Sequence, residues 1–231
     1  MHCNRYQPPR RWCLALLHAS LSVSTSAPAG SGAITFTFCK KMRILISGGP
    51  GSGCTSTSLA LGVALKLSVF DSDSYFHKLT NPLFQEQHSP NDRRELVISA
   101  LSGNESWILS GSVATWGLCD LFPTHGVFLG IPPEERLRRA EQRQRAQYGS
   151  RIDYGGDMAE EHKSFSDWAS GYESRTGIGR NAATDLSFLE SRCDHCLVIT
   201  ESSPIQQVVT EIVAFLTETP NAEQAAPCNT H

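Results

Sequence analysis

From Met42 onward, short apolar runs alternate with longer stretches whose apolar residues recur every three or four positions. Met42 to Ser47 (MRILIS) is an apolar run ending in glycines, the pattern of a buried parallel strand. Thr55 to Leu67 places Leu59, Leu61, Val63, Ala64 and Leu67 at helical spacing. Val69-Phe70 predicts a second strand that ends at Asp71. Pro90 to Leu101 predicts a helix with Leu96, Val97 and Leu101 on one face. Trp107-Ile108-Leu109 and Gly126 to Ile131 predict a third and a fourth strand. Pro132-Pro133-Glu134-Glu135 opens the next helix, with proline and acid in its first turn as helix starts prefer. A glycine-rich stretch, Tyr148 to Met158, leads to a helix over Ala159 to Tyr172. Leu197-Val198-Ile199 is the fifth strand, and Pro204 to Thr217 the closing helix.

Strands alternating with helices predict an α/β domain whose parallel sheet is covered on both faces. Ligands of such sheets bind at the carboxyl ends of the strands. The polar, glycine-bearing positions fall there: Gly48 to Gly53 after strand one, Asp71 and Asp73 after strand two, and Ser110-Gly111-Ser112 after strand three. The domain predicted by this pattern is 42–219, with a flexible polar tail over 220–231.

The segment 1–41 differs from the rest. It holds Arg5, Arg10, Arg11, Lys40 and Lys41, and the first acidic residue of the chain is Asp71. It runs basic, then apolar (Trp12 to Leu21), then rich in Ser, Ala, Gly and Pro. Three readings stay open. It is an upstream extension, since Met42 stands directly before the first strand; or a mitochondrial transit peptide; or a secretory signal with Ala27-Pro28-Ala29 as cleavage site.

Charge narrows the function classes. The chain has 20 basic and 23 acidic residues, and five of the basic ones precede Met42, so the remainder carries −8. An acidic domain fits a phosphate backbone poorly, so no nucleic-acid partner is expected. No run of eighteen apolar residues occurs, so no membrane span is expected either. Eight scattered cysteines suggest no disulfide framework. Thiols left free point to the reducing cytoplasm, or to mitochondria if 1–41 is a transit peptide.

The glycine loop carries the most specific signal. Gly48-Gly49-Pro50-Gly51-Ser52-Gly53-Cys54-Thr55 fits GxxxxG-K-[ST] at every fixed position except the lysine. Glycines let successive backbone N–H groups turn inward around phosphate oxygens, and the following helix adds its positive end. The expected nucleotide-binding residues are Gly48, Gly49, Pro50, Gly51, Ser52, Gly53, Cys54, Thr55 and Ser56, with the Thr55 hydroxyl placed for Mg2+. Cys54 stands where lysine would place its charge, and another cation has to supply it. Cys54 itself is either a small residue that fits the loop or a thiol activated by the helix N-terminus.

The runs MRILISGGPGSGCTSTSLA, FDSDSYF, WILSGS and IPPEERLRRAEQR resemble the nucleotide- and shikimate-kinase branch of P-loop kinases. More narrowly, the chain is similar to adenylate-kinase-like proteins whose loop has small hydroxyl residues in place of lysine and which carry a later GGDM segment, here Gly155-Gly156-Asp157-Met158. The resemblance spans Met42 to Leu216. It implies a three-layer P-loop NTPase fold with a five-stranded parallel sheet and a small lid. It assigns Asp71 to the Mg2+ shell and Asp73 to the acceptor hydroxyl, on the expectation that alternation along an extended chain turns both carboxylates to one side. It also implies that arginines of the helix after strand four and of the lid clamp the transferred phosphoryl group. Arg139, Arg143 and Arg151 are the candidates, and any of them is placed to stand in for the lysine. The backbone N–H groups of Gly111 and Ser112 are the expected substrate contacts. Adenylate kinases have aspartate where this chain has Ser110.

The resulting expectation is an ATP- and Mg2+-binding kinase acting on a small-molecule acceptor, a nucleoside monophosphate or a shikimate-like acid. The alternatives are a nucleotide sensor with little turnover and a slow nucleoside-triphosphate hydrolase. Cys193-Asp194-His195-Cys196 is too sparse for a zinc site. Phe165, Trp168 and Tyr172 share helical spacing and are read as core packing. The segment Thr80 to Asn91 carries no acceptor motif, and oligomeric state is not encoded in any pattern found.

Overall fold

The computed structural model describes residues 41–80 and 86–219. The expectations for the tail and for nearly all of the leader lie outside the described residues, as does part of the Thr80–Asn91 segment. Five parallel strands, β1 (Arg43–Gly48), β2 (Ser68–Asp71), β3 (Trp107–Ser110), β4 (His125–Leu129) and β5 (His195–Ile199), form one sheet in the order β2-β3-β1-β4-β5. The helices are α1 (Cys54–Leu65), the short α2 (Asp73–Phe76), α3 (Pro90–Ser102), α4 (Pro133–Tyr148), α5 (Ala159–Ser170), α6 (Ala182–Arg192) and α7 (Ile205–Glu218), with a 3-10 turn at Gly149–Ile152. This is the α/β architecture expected from the alternating pattern.

Strand β1 is central and hydrogen-bonds both neighbours, Ile46 pairing with Ser110 and with Val127. Successive residues of a strand face opposite sides. Ile44 and Ile46 therefore join Leu61 of α1 and Val208, Ile212 and Leu216 of α7 in one core cluster. Leu45 joins Val97 and Leu101 of α3 and Leu189 of α6 in the other. Burial on both faces explains why the strands read as continuous apolar runs. The α7 residues recur at intervals of four, and each full burial of such a side chain contributes about 1.5–3 kcal/mol.

Local chemistry sets the helix ends. The Ser89 hydroxyl accepts from the Asp92 N–H at 3.2 Å, and the Asp92 carboxylate accepts from the Ser89 N–H at 3.3 Å, a reciprocal cap that starts α3. Helix α1 stops at Lys66, whose φ of 57° is left-handed. Gly62 lets α1 close on β2, since a Cβ there would lie 2.3 Å from a Val69 methyl.

Several expectations are corrected. Leu96 does not share the buried face of α3 and is 36% exposed, because Val97 and Leu101 already point at the sheet. The aromatic trio divides: Tyr172 lies beyond α5 and is buried, whereas Trp168 is 38% exposed. The chain after β2 is not extended. Ser72 is helical in backbone angle, and Asp73 begins α2, so alternation does not align the two carboxylates. Helix α6 was not anticipated, although its signals were present. The Asn181 side chain accepts from the Thr184 N–H at 2.9 Å as an N-cap, and Leu186 and Leu189 follow at helical spacing.

At the opposite end of the sheet from the glycine loop, His125 is buried, with Nδ1 2.8 Å from the Thr124 hydroxyl and Nε2 3.1 Å from the Thr219 hydroxyl. Burial lowers its pKa below the usual 6.5, and the His195 charge acts the same way, while Thr219 and Asp194 oppose the shift. The unfolded chain thus takes up this proton at higher pH than the folded one. The stability that neutral His125 contributes is complete above the unfolded value and drains away as pH falls toward the folded value. Replacing His125 by glutamine is expected to reduce the drop in Tm between about pH 7.5 and about pH 5.5 relative to the wild type. Melting curves with identical drops would contradict this.

Candidate functional site

The loop after β1 wraps tightly. The Ser52 N–H donates to the Gly49 carbonyl at 3.0 Å. Gly51 has a φ of +84°, and a Cβ there would lie 1.9 Å from the Arg136 carbonyl oxygen. Gly53, with φ +96°, caps α1 without any side-chain hydrogen bond, and no acidic residue occupies the first turn. The first N–H groups of α1 have no acceptor within the helix, so its positive end opens onto the loop.

Beside the loop, the Thr55 hydroxyl donates to Asp71 Oδ2 at 2.8 Å. Asp71 Oδ1 accepts from the Asp73 N–H at 3.0 Å, an aspartate turn that starts α2. Burial and the neighbouring Asp73 carboxylate raise the Asp71 pKa, against the hydrogen bonds from Asp73 and Thr55. Asp73 itself is exposed, as is Ser56.

The surroundings of Cys54 disfavour its thiolate. Burial pushes its pKa up to about 11, although the Ser52 hydroxyl, 3.3 Å from the sulfur, and the Arg180 charge pull the other way. Desolvation of a thiolate outweighs the helix N-terminus here. The lysine position of the loop is therefore neutral.

The arginines of α4 lie in very different surroundings. Arg136 is buried, with 1% of its surface exposed. It donates to Glu173 Oε1 at 2.7 Å and pairs with Glu173 Oε2, and it donates to the carbonyls of Pro50 at 3.2 Å and Ala169 at 2.9 Å. Arg139 is held by Glu135 at 2.8 Å and by the Ser202 hydroxyl at 2.6 Å, with Nη1 4.0 Å from where a Cβ on Gly53 would sit. Hydrogen bonds from Arg138 and Arg139 hold the Glu135 carboxyl down at about 2. Arg143 is exposed. Arg151 forms a two-pronged pair with Asp157, at 2.9 and 2.6 Å. A Cβ on Gly156 would lie 2.2 Å from the Arg151 carbonyl oxygen, and Met158 is buried. The GGDM segment thus folds the lid onto Arg151.

Behind the loop lies a buried polar centre that sequence reading missed. Asp185 of α6 accepts from the Ser112 hydroxyl at 2.5 Å and from the Tyr172 hydroxyl at 2.7 Å. Burial raises its pKa, opposed by those two hydrogen bonds and by Arg180. Arg180 Nη2 donates to the Gly48 carbonyl at 3.1 Å. Gly111 has a φ of +97° and packs against Ser72, which leaves no room for a Cβ. Its N–H donates to the Ile46 carbonyl at 2.9 Å, so this backbone donor, expected to meet substrate, is spent within the sheet. The Ser112 hydroxyl is likewise spent on Asp185.

A glycine loop between β1 and α1 of a parallel sheet, with a threonine-aspartate pair at its mouth, is the architecture of the P-loop NTPase fold in its kinase-like form. Shikimate kinase from Bacteroides thetaiotaomicron superposes with a TM-score of 0.50 at 19% identity, over 76% of this chain and 98% of that one. Deoxyadenosine kinase from M. mycoides is also similar, with a TM-score of 0.49 at 11% identity over 77% of this chain and 100% of that one. No protein-family model matches the sequence. The uncharacterized protein YqaC of Bacillus subtilis (strain 168) is 31% identical over 148 residues, 63% of this chain and 81% of that protein. The chain belongs to the family of YqaC. Among the described residues, no helix is long and apolar enough to cross a membrane.

Proposed function

We propose that the domain binds Mg2+-ATP on the Gly48–Ser56 loop and transfers the terminal phosphoryl group to a small-molecule acceptor, a nucleoside monophosphate or a shikimate-like acid. The observation that carries this reading is the Thr55 hydroxyl held on Asp71 at 2.8 Å beside the loop. Two hard oxygen donors next to a nest of backbone N–H groups suit an ion that takes its other ligands from phosphate and water. The raised pKa of Asp71 fits as well, since a bound cation favours the carboxylate over its protonated form. Mg2+, when bound, neutralises charge on the β- and γ-phosphates.

The remaining work falls to the chain. The loop N–H groups and the start of α1 hold phosphate oxygens. Asp73, exposed next to the Thr55–Asp71 pair, orients the acceptor hydroxyl and accepts its proton. Arg139, beside Gly53, and Arg143 stabilise the transferred group, and Arg151 joins them on leaving Asp157. The lid, Tyr148 to Met158, excludes water. Gly111 and Ser112 shape the acceptor side. The neutral Cys54 favours a second reading, a nucleotide sensor with little turnover.

Calorimetric titration of the full chain with Mg2+-ATP, with ADP release followed across nucleoside monophosphates, sugars and shikimate-like acids, separates the readings. Acceptor-stimulated release supports transfer, binding without release supports the sensor, and no binding removes both. Replacing Thr55 by valine keeps the shape and deletes the hydroxyl. It is expected to weaken Mg2+-ATP binding about 10- to 100-fold while leaving metal-free ATP binding unchanged. An equal loss with and without Mg2+ would place Thr55 outside the metal shell.

A further inference from the structure

A glycine loop with a neutral residue at its lysine position leaves the negative charge of a triphosphate without its nearest counter-charge. Of the arginines of α4 and of the lid, Arg143 is exposed and the others are held by neighbouring groups. Arg136 is locked onto Glu173 and two backbone carbonyls. Arg138 and Arg139 share Glu135, Arg145 is on Asp153, and Arg151 is on Asp157. Arg180 is different. It arises from the turn before α6, reaches back across 132 residues of sequence, and puts Nη2 3.1 Å from the carbonyl of Gly48, the first residue of the loop.

The guanidinium has five N–H donors. Among the described residues, Arg180 makes one hydrogen bond with them, the bond to Gly48. Its Nε is buried with no hydrogen-bond partner, and Asp185 Oδ2, at 4.0 Å, is near enough for attraction but too far for a bond. The side chain is held in place nonetheless. Its guanidinium carbon lies 5.5 Å from the centre of the Trp168 ring. Its backbone carbonyl accepts from Arg175 at 2.9 Å. The next residue, Asn181, is buried and donates to the carbonyls of Gly177 and Gly179, both at 3.2 Å, which shapes the turn that delivers Arg180. A cation fixed at the loop with unused donors is prepared for an anion.

We propose that Arg180 supplies the positive charge missing at Cys54 and holds the terminal phosphate oxygens of the bound nucleoside triphosphate. The proposal rests on the nucleotide reading above and adds the residue that replaces the lysine. It also accounts for a small neutral side chain at position 54: a lysine there would meet the guanidinium as a second positive charge at the same loop.

The test is calorimetry of the full chain with Mg2+-ATP and Mg2+-ADP, with melting curves to verify folding. Arg180→Gln is expected to weaken ATP binding about 10- to 100-fold, and ADP binding less. Arg180→Lys retains part of the affinity, and adding Cys54→Lys to Arg180→Gln restores it. Should Arg180→Gln melt early, Arg180→Met keeps an unbranched apolar stem without the charge and is measured instead. ATP affinity equal to wild type in folded Arg180→Gln or Arg180→Met overturns the role of Arg180 and leaves the nucleotide reading standing. If the folded wild-type chain binds neither nucleotide, the nucleotide reading is overturned, and this proposal with it.

Discussion

Replacing Arg136 by methionine is expected to lower the unfolding free energy by about 3–5 kcal/mol, read from chemical denaturation. Methionine fills much of the same space, so the loss comes from polar groups left behind rather than from a cavity. The carbonyls of Pro50 and Ala169 each lose a buried donor, and leaving such a group unpaired costs about 1–3 kcal/mol. Glu173 loses its partner too, but its side chain is 35% exposed, so water takes over part of that role. Against a typical domain stability of about 5–15 kcal/mol, the change is large. Tm is expected to fall by about 6–20 °C. Nucleotide binding is expected to weaken in the variant even where it is still folded, because Arg136 holds the Pro50 carbonyl and packs its own carbonyl against Gly51. A loss of less than about 1 kcal/mol would mean that solvent enters and satisfies these groups.

Asp73→Asn is expected to lower acceptor-dependent turnover by about 10²–10⁴-fold while changing ATP affinity little. The substitution is a clean probe, because the bond that starts α2 uses the Asp73 backbone N–H and not its side chain. Asp71→Asn provides the contrast. It touches the carboxylate that receives the Thr55 hydroxyl, so its effect belongs in the Mg2+ dependence of binding. Steady-state ADP release and calorimetry on the two variants separate the roles. If Asp73→Asn reduces affinity and turnover equally, Asp73 serves binding alone.

Much of the fold was legible because its signals are local. The β1–loop–α1 unit announces itself by apolar run, glycine spacing and helical period within about two dozen residues. The five strands were placed to within one or two residues, since strands buried on both faces are uninterrupted apolar runs. The same local reasoning failed where two conformations compete for a polar segment. Asp71-Ser72-Asp73 reads as extended, but the Asp73 N–H finds the Asp71 carboxylate and the chain turns into α2. Helical periodicity also cannot tell which arginine of α4 meets the glycine loop: Arg136 is buried against it and Arg143 is exposed.

The sequence by itself determined the parallel α/β order of the domain, the phosphate loop with cysteine in place of lysine, and the threonine and aspartate at its mouth. These depend on residues close together in the chain or on strand ends that every such sheet gathers on one edge. The tertiary structure alone decided which charges stand at that loop. Arg136 reaches Pro50 across 86 residues, Asp185 reaches Ser112 across 73, and Arg180 reaches Gly48 across 132. Such pairings follow from the strand order β2-β3-β1-β4-β5, from how α6 packs on the sheet and from how α4 meets the glycine loop, and no local pattern along the chain records them.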